Sequence, residues 1–188
     1  MAKTDDSDIK IFEAAKSKDR QTDDLLEAAA FLHRQRANGN IEKARLLGAG
    51  LALLDPGDFE PINTSMQLKS DSEFMHQARA LLVFVVQTTL HGQLGSDVLS
   101  SCAVNAMYDK LIENQADFYE RICDGTAFTL YTLAMKEKDF EAKLGEAFAA
   151  LCPSEADKDF FKQLGIKIFY GASAATMKII EKYKFSPL

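Results

Sequence analysis

The sequence predicts an all-α protein, arranged as a single compact helical bundle or orthogonal array of seven to eight helices. Three observations lead to this prediction. Only four prolines interrupt the 188 residues of the chain. The stretches between them are rich in Ala, Leu, Glu and Lys, which favour helix. No stretch shows the alternation of apolar and polar residues, bounded by turns, that is typical of a half-buried strand.

Length and composition predict one globular domain over residues 1–188 that needs neither metal nor disulfides to fold. Apolar residues make up 47% of the chain and charged residues 27%, and only the polar residues 1–8 are expected to fray. A net charge of -6 argues against nucleic acid and anionic membranes as partners, because both require a basic surface. With no secretory signal and no apolar run of membrane-spanning length, we expect a cytoplasmic protein without membrane insertion.

The first third of the chain predicts three helices. The first covers residues 9–18, and the second runs from Thr22, which suits an N-cap, to a turn at residues 37–40. Asn40 can cap a third helix that ends at Leu54. Residues 55–69 then predict a long loop, and loops of this length are commonly disordered or functional.

The next helix is predicted to lie at the centre of the domain. Ser70 and Glu73 form a capping box that opens it, and it runs to about Leu90. Residues 81–86 are apolar on every side of the helix axis, whereas an exposed helix carries one apolar stripe. Such a segment must be surrounded by protein.

The rest of the chain predicts further helices. Ser96 can cap a helix to Asn114, and the helical pattern continues to residue 138 with a break at Gly125. A shorter helix is predicted over residues 139–151, and Ser154 begins the last one, which ends near Tyr183.

The last helix has two apolar faces. The second face, nearly opposite the first, consists of Ile166, Phe169, Tyr170, Met177 and Ile180. Either both faces are buried in the domain, or the second face contacts another chain, because large apolar patches are not normally left in water. The sequence contains no complete catalytic set. We therefore expect a non-enzymatic interaction or regulatory module that needs no cofactor and acts through helix-mediated self-association, as a homodimer, or with another protein.

A first alternative is a small-molecule-binding domain. Gln87, Thr88 and His91 then line the mouth of a pocket, and residues 55–69 form its lid. The simpler interpretation of His91 is that a cation is favoured near a helix C-terminus. Eight of the thirteen phenylalanines follow Asp117, and a subset of these aromatic residues could also line a cavity between helices.

A second alternative is a Mg²⁺-dependent hydrolase of phosphate esters or nucleotides. Asp109, Glu113, Asp117 and Glu120 fall within about 80° of one another if the helix that carries them is continuous. Carboxylate oxygens are the ligands that Mg²⁺ prefers. The competing interpretation is a solvated face, because apolar residues occupy the opposite side of the same helix.

Two further patterns favour structural roles. Glu73 and His76 have the E-x-x-H spacing of di-metal bundles, but such a site needs the motif twice, so we interpret them as a surface pair. The three cysteines are an odd number at irregular spacings, which predicts buried free thiols.

Overall fold

The computed structural model describes residues 26–152 and 157–186, and every regular element in these ranges is helical. The predicted all-α fold is therefore confirmed. The described α-helices are α1 (residues 26–37), α2 (Asn40–Leu51), α3 (Met66–Ser70), α4 (Ser72–Gln93), α5 (Asp97–Asn114), α6 (Ala116–Ile122), α7 (Thr126–Ala134), α8 (Phe140–Leu151) and α9 (Lys158–Ile180). They exceed the predicted seven to eight because of two short helices, α3 and α6. The helix predicted over residues 9–18 lies outside the described residues.

The chain divides into two units. The described part of the smaller unit comprises residues 26–40 and Ser186. Asn40 was expected to cap α2 but is its first residue, and its side-chain amide donates to Gln35 Oε1 at 2.7 Å and to the Ser186 carbonyl at 3.0 Å. The Ser186 N–H donates back to Asn40 Oδ1 at 2.9 Å. One buried amide therefore fixes the backbone at Ser186.

The larger unit, Ile41–Phe185, is built around α4. Residues 81–86 of this helix are all buried, as their apolar pattern predicts. Helices α5, α7, α8 and α9 all contact α4. At its N-terminal end, the Phe74 ring packs against Phe148 of α8 and Phe161 of α9, with ring centroids 6.2 and 5.8 Å apart.

The cap of α4 differs from the prediction. Its N-cap is Asp71, whose carboxylate accepts hydrogen bonds from the N–H groups of Glu73 and Phe74 at 3.1 and 3.0 Å. Ser70 is instead the last residue of α3. A carboxylate at the N-terminus also interacts favourably with the helix dipole, so Asp71 is the better cap.

Residues 55–69 are not the unstructured loop that their length predicted. They contain two 3₁₀ helices, Pro56–Asp58 and Ile62–Thr64, and the beginning of α3. Asp55 accepts a hydrogen bond from the Gly57 N–H at 2.7 Å, and the Ser65 hydroxyl accepts one from the Leu68 N–H at 3.3 Å. Local caps therefore order the segment.

The later helix boundaries follow the sequence in part. Gly125 has a φ of 74°, which confirms the predicted break there. Helix α8 starts one residue after Asp139, and α9 ends at Ile180 before a 3₁₀ turn over Glu181–Tyr183. Asp157 caps α9 through a hydrogen bond from the Phe160 N–H at 3.0 Å, whereas the predicted start at Ser154 lies outside the described residues.

Glycines allow two close contacts between helices. A Cβ atom at Gly48 of α2 would lie 1.9 Å from the Ala103 carbonyl oxygen of α5. A Cβ atom at Gly165 of α9 would lie 2.8 Å from the Phe148 side chain of α8. Neither helix pair could come this close with a larger residue at the glycine.

None of the helices in the described ranges combines the length and hydropathy needed to cross a bilayer.

Replacing Gly48 with Ala is expected to lower the free energy of unfolding by about 3 kcal/mol, because the new methyl group must push α2 away from α5. Gly92→Ala is the matched control, since a Cβ atom at this helical position meets no heavy atom within 4 Å. We expect Gly92→Ala to be neutral or to stabilise by up to about 1 kcal/mol. Urea denaturation followed by circular dichroism measures both changes. Equal effects of the two substitutions would contradict the close contact.

Candidate functional site

Helix α9 carries the surface that the sequence singled out. One face is buried, as predicted, and packs against α4 and α8. The residues of this face are Phe161, Leu164, Gly165, Ile168, Ala172 and Thr176.

The second apolar face is partly covered by α8. Ile166 packs on Gly145, and the Phe169 ring meets the Phe140 ring edge to face with centroids 5.9 Å apart. The Tyr170 hydroxyl donates a hydrogen bond to the Glu141 carboxylate. Because α8 begins at Phe140, it lies beside the middle of α9 and does not run along its last three turns.

The remaining part of this face is exposed. Tyr170 retains 47% of its accessible surface and Met177 retains 38%, whereas Ile180 is half-buried against the core. The exposed residues follow a 4-3-4-3-4 spacing along α9, which is the spacing of helix-pairing seams. We call this set the α9 seam, and its members are Gln163, Lys167, Tyr170, Ala174, Met177 and Glu181.

The three residues predicted to line a pocket mouth lie in the second half of α4. The Thr88 hydroxyl donates to the Phe84 carbonyl at 2.8 Å, and Gln87 Oε1 accepts from the Tyr108 hydroxyl at 2.7 Å. His91 is exposed in the last turn, where the helix dipole favours a cation. Helix-terminal and tertiary hydrogen bonding therefore account for these side chains.

The segment predicted as a lid packs far from His91. Arg79 of α4 donates a hydrogen bond to Asp55, and Gly57 lies next to Met75. Twelve residues separate Arg79 from His91, which corresponds to about 18 Å along the helix axis. The segment therefore covers the N-terminal half of α4, and the predicted lid and pocket mouth are not adjacent.

The acidic stripe does not have the geometry that the hydrolase alternative needs. The helix predicted to carry it ends at Asn114, and α6 starts after a break at Gln115, whose φ and ψ are -150° and 51°. The predicted continuous alignment of Asp109 and Glu113 with Asp117 and Glu120 is therefore wrong. Glu113 binds Lys110 at 2.7 Å. Within the described ranges, no group of three or more His, Cys, Asp or Glu side chains is placed to bind a metal.

Glu73 and His76 act as structural residues on α4. Both carboxylate oxygens of Glu73 accept hydrogen bonds from Arg121 of α6, at 2.7 and 2.9 Å, and this interaction lowers the pKa of Glu73. His76 packs edge-on against Phe118, with ring centroids 5.3 Å apart. Burial lowers the pKa of His76, and the positive charge of Arg121 lowers it further. These contacts fix α6 against α4.

A pocket that the sequence analysis did not identify lies between α5, α6 and α7. Its volume is about 540 Å³, within the range of small-molecule sites. Three aromatic rings and two isoleucines provide most of the wall, and polar atoms come from a carboxylate, an amide and a thiol. We call it the aromatic pocket, and its lining begins with Tyr108, Tyr119, Phe128, Ile112, Ile122 and Asp109.

Asn105 and Cys123 complete the lining of the aromatic pocket. Tyr108 and Tyr119 meet at a steep angle of 67°, with ring centroids 6.0 Å apart. Burial raises the pKa of Tyr108 to about 12. The pKa of Tyr119 is raised first by the Cys123 side chain beside it, and also by burial and by the charge of Asp109. Both hydroxyls are therefore protonated at neutral pH.

The sequence gave only a weak signal for this pocket. The excess of aromatic residues after Asp117 includes Tyr119 and Phe128, but Tyr108 precedes it. The three rings come from three helices, and only their packing brings them together. Gln87 was singled out from the sequence for another reason, and the structure places it behind Tyr108 as the acceptor for the tyrosine hydroxyl.

No protein-family model, curated protein or solved structure matches this chain. The geometry of the described residues is thus the basis for any functional argument.

The cysteines differ in exposure, which gives a test of the pocket geometry. Cys152 is buried, as predicted, and burial raises its pKa to about 12. Cys123 is exposed at the pocket wall, contrary to the prediction of buried thiols. At pH 8 we expect Ellman's reagent to label Cys123 within minutes, while Cys152, with about one thiolate in ten thousand molecules, does not react until the protein unfolds. Loss of the fast phase in Cys123→Ser identifies the residue. A fast phase that survives this substitution would contradict the described exposure.

Proposed function

We propose that the protein is a helix-mediated interaction module whose partner is a second copy of the same chain, bound through the α9 seam. The observation that carries the proposal is the exposure of Tyr170 and Met177 along a seam with helix-pairing spacing. The buried face of α9 is already used for packing on α4 and α8. The seam is the part of α9 that remains free to meet another helix.

The distribution of residues along the seam supports self-pairing. Its centre is Ala174, whose small side chain permits close approach of another helix. Lys167 and Glu181 each lie seven residues from Ala174, on opposite sides of it. In an antiparallel pair with a two-fold axis at Ala174, Lys167 of each copy faces Glu181 of the other. A parallel pair would place like charges opposite one another.

The same geometry predicts a weak dimer. The seam from Gln163 to Glu181 is about 27 Å long, which is the length of a single helix-helix contact. Stable interfaces bury roughly 800 Å² per partner, and a single helix face supplies less than that. We therefore expect a dissociation constant in the micromolar range, a value typical of reversible, regulated association.

Charge exchange tests both the seam and its direction. Lys167→Glu and Glu181→Lys each place like charges at two positions of the antiparallel pair, and we expect each substitution to weaken dimerisation about tenfold. The double variant restores opposite charges and is expected to dimerise like the unchanged protein. Sedimentation velocity over roughly 10 to 500 micromolar measures the dissociation constants.

Two further variants make this test decisive. Ala174→Glu places two carboxylates at the two-fold axis and is expected to abolish the dimer, while the exposed position leaves the fold intact. Lys158→Glu makes the same charge change on α9 outside the seam and is the matched control. A monomer at all concentrations rejects self-association, and a double variant that stays as weak as the single variants rejects the antiparallel seam.

A further inference from the structure

The aromatic pocket has the composition of a site for a positively charged organic group. Three rings, Tyr108, Tyr119 and Phe128, line it from three different helices. The face of an aromatic ring carries negative electrostatic potential and attracts cations, most strongly when water is excluded. The steep angle between the two tyrosine rings forms a corner in which a rounded group can contact both.

Fixed charge in the pocket acts in the same direction. Asp109 supplies a carboxylate, and the side chains that line the pocket include no Lys, Arg or His. The next residue in the chain, Lys110, binds Glu113 at 2.7 Å and does not neutralise Asp109. The net charge of -6 over the whole chain adds a long-range attraction for cations.

The walls of the pocket are held by contacts outside it. The Tyr108 hydroxyl donates to Gln87 of α4, which fixes the ring orientation from behind. Phe128 packs edge to face on the buried Phe84 of α4, with ring centroids 5.7 Å apart. Rings that are fixed before a ligand arrives lose little conformational entropy when it binds.

The lining favours an alkylated ammonium group over a metal ion or a primary amine. A metal needs several oxygen, nitrogen or sulfur ligands, and the described residues offer no such group. A primary ammonium is strongly hydrated and is costly to transfer to apolar walls such as Ile112 and Ile122. Methylation of the nitrogen removes hydrogen-bond donors and adds apolar surface, so the aromatic rings and isoleucines become better surroundings than water.

We propose that the aromatic pocket binds an organic cation, namely a quaternary or methylated ammonium group. The rings of Tyr108, Tyr119 and Phe128 surround the alkyl groups, and Asp109 balances the charge. The group is supplied either by a free small molecule such as choline or by a methylated lysine side chain. The chemistry of recognition is the same for both sources. The proposal is independent of self-association, and the Lys167→Glu variant is expected to bind the cation equally well.

The test compares ligands that differ in charge alone. Choline and the neutral alcohol in which carbon replaces its nitrogen have nearly the same shape. We expect choline to bind about tenfold more tightly, with amide shifts in two-dimensional NMR spectra confined to α5, α6, α7 and the adjoining part of α4. Sodium chloride at equal concentration controls for ionic strength. Equal affinity for the two ligands, or no saturable shift with choline up to about 20 millimolar, overturns the proposal.

Matched variants locate the interaction. Asp109→Asn is expected to weaken choline binding about fivefold, whereas Asp117→Asn, an exposed carboxylate outside the pocket, changes it less than about twofold. Tyr119→Leu is expected to weaken binding about fivefold, and Tyr119→Phe to retain it because the ring is kept. Unchanged affinity in both Asp109→Asn and Tyr119→Leu places the cation elsewhere and overturns the proposal.

A second ligand series identifies the source of the cation. A short peptide that contains trimethyl-lysine is titrated alongside choline, with the unmethylated peptide as its control. Tighter binding of the trimethylated peptide assigns the pocket to a modified protein, and tighter binding of choline assigns it to a small molecule. Either result supports the proposal, whereas equal binding of the methylated and unmethylated peptides together with no binding of choline refutes it.

Discussion

The burial of α4 is the constraint on which the rest of the structure depends. Residues 81–86 are apolar around the whole helix axis, and all are buried. Complete burial of six such side chains stabilises the fold by on the order of 10 kcal/mol, comparable to the net stability of an entire domain. No arrangement that leaves one side of α4 in water can be stable. The contacts of α5, α7, α8 and α9 with α4 follow from this requirement.

The two candidate surfaces arise where this packing ends. Helix α9 packs on α4 with one face, but α8 starts at Phe140 and leaves the last turns of the opposite face uncovered. The break at Gln115 shortens α5 and starts α6 in a new direction. Tyr119 on α6 then lies near Tyr108 on α5, and the aromatic pocket forms between them. An uncovered helix face and a helix break thus produce the two surfaces.

Local sequence signals predicted the parts of the fold that depend on local chemistry. The helices, the break at the glycine with positive φ and the central position of α4 follow from propensity, turn residues and apolar periodicity. The break at Gln115 could not be predicted, because neither Gly nor Pro marks it and α6 is instead held by tertiary contacts such as Arg121 with Glu73. The caps at residues 55–69 were missed because length was weighed above the capping side chains Asp55 and Ser65. Pairwise contacts between helices were beyond sequence reasoning for the same reason, and they decide which apolar residues of α9 remain exposed.

Cys123 gives the aromatic pocket an experimental handle. Its thiol lies on the pocket wall and reaches solvent, while Cys152 is buried. A library of small disulfide-bearing fragments would therefore be captured at a single, known place, and the molecules that fit beside the tyrosine rings would be enriched over those that do not. Mass spectrometry of the trapped adducts reads out shape and charge preferences directly. The position of one sulfur atom thus turns a search for an unknown ligand into a chemical selection.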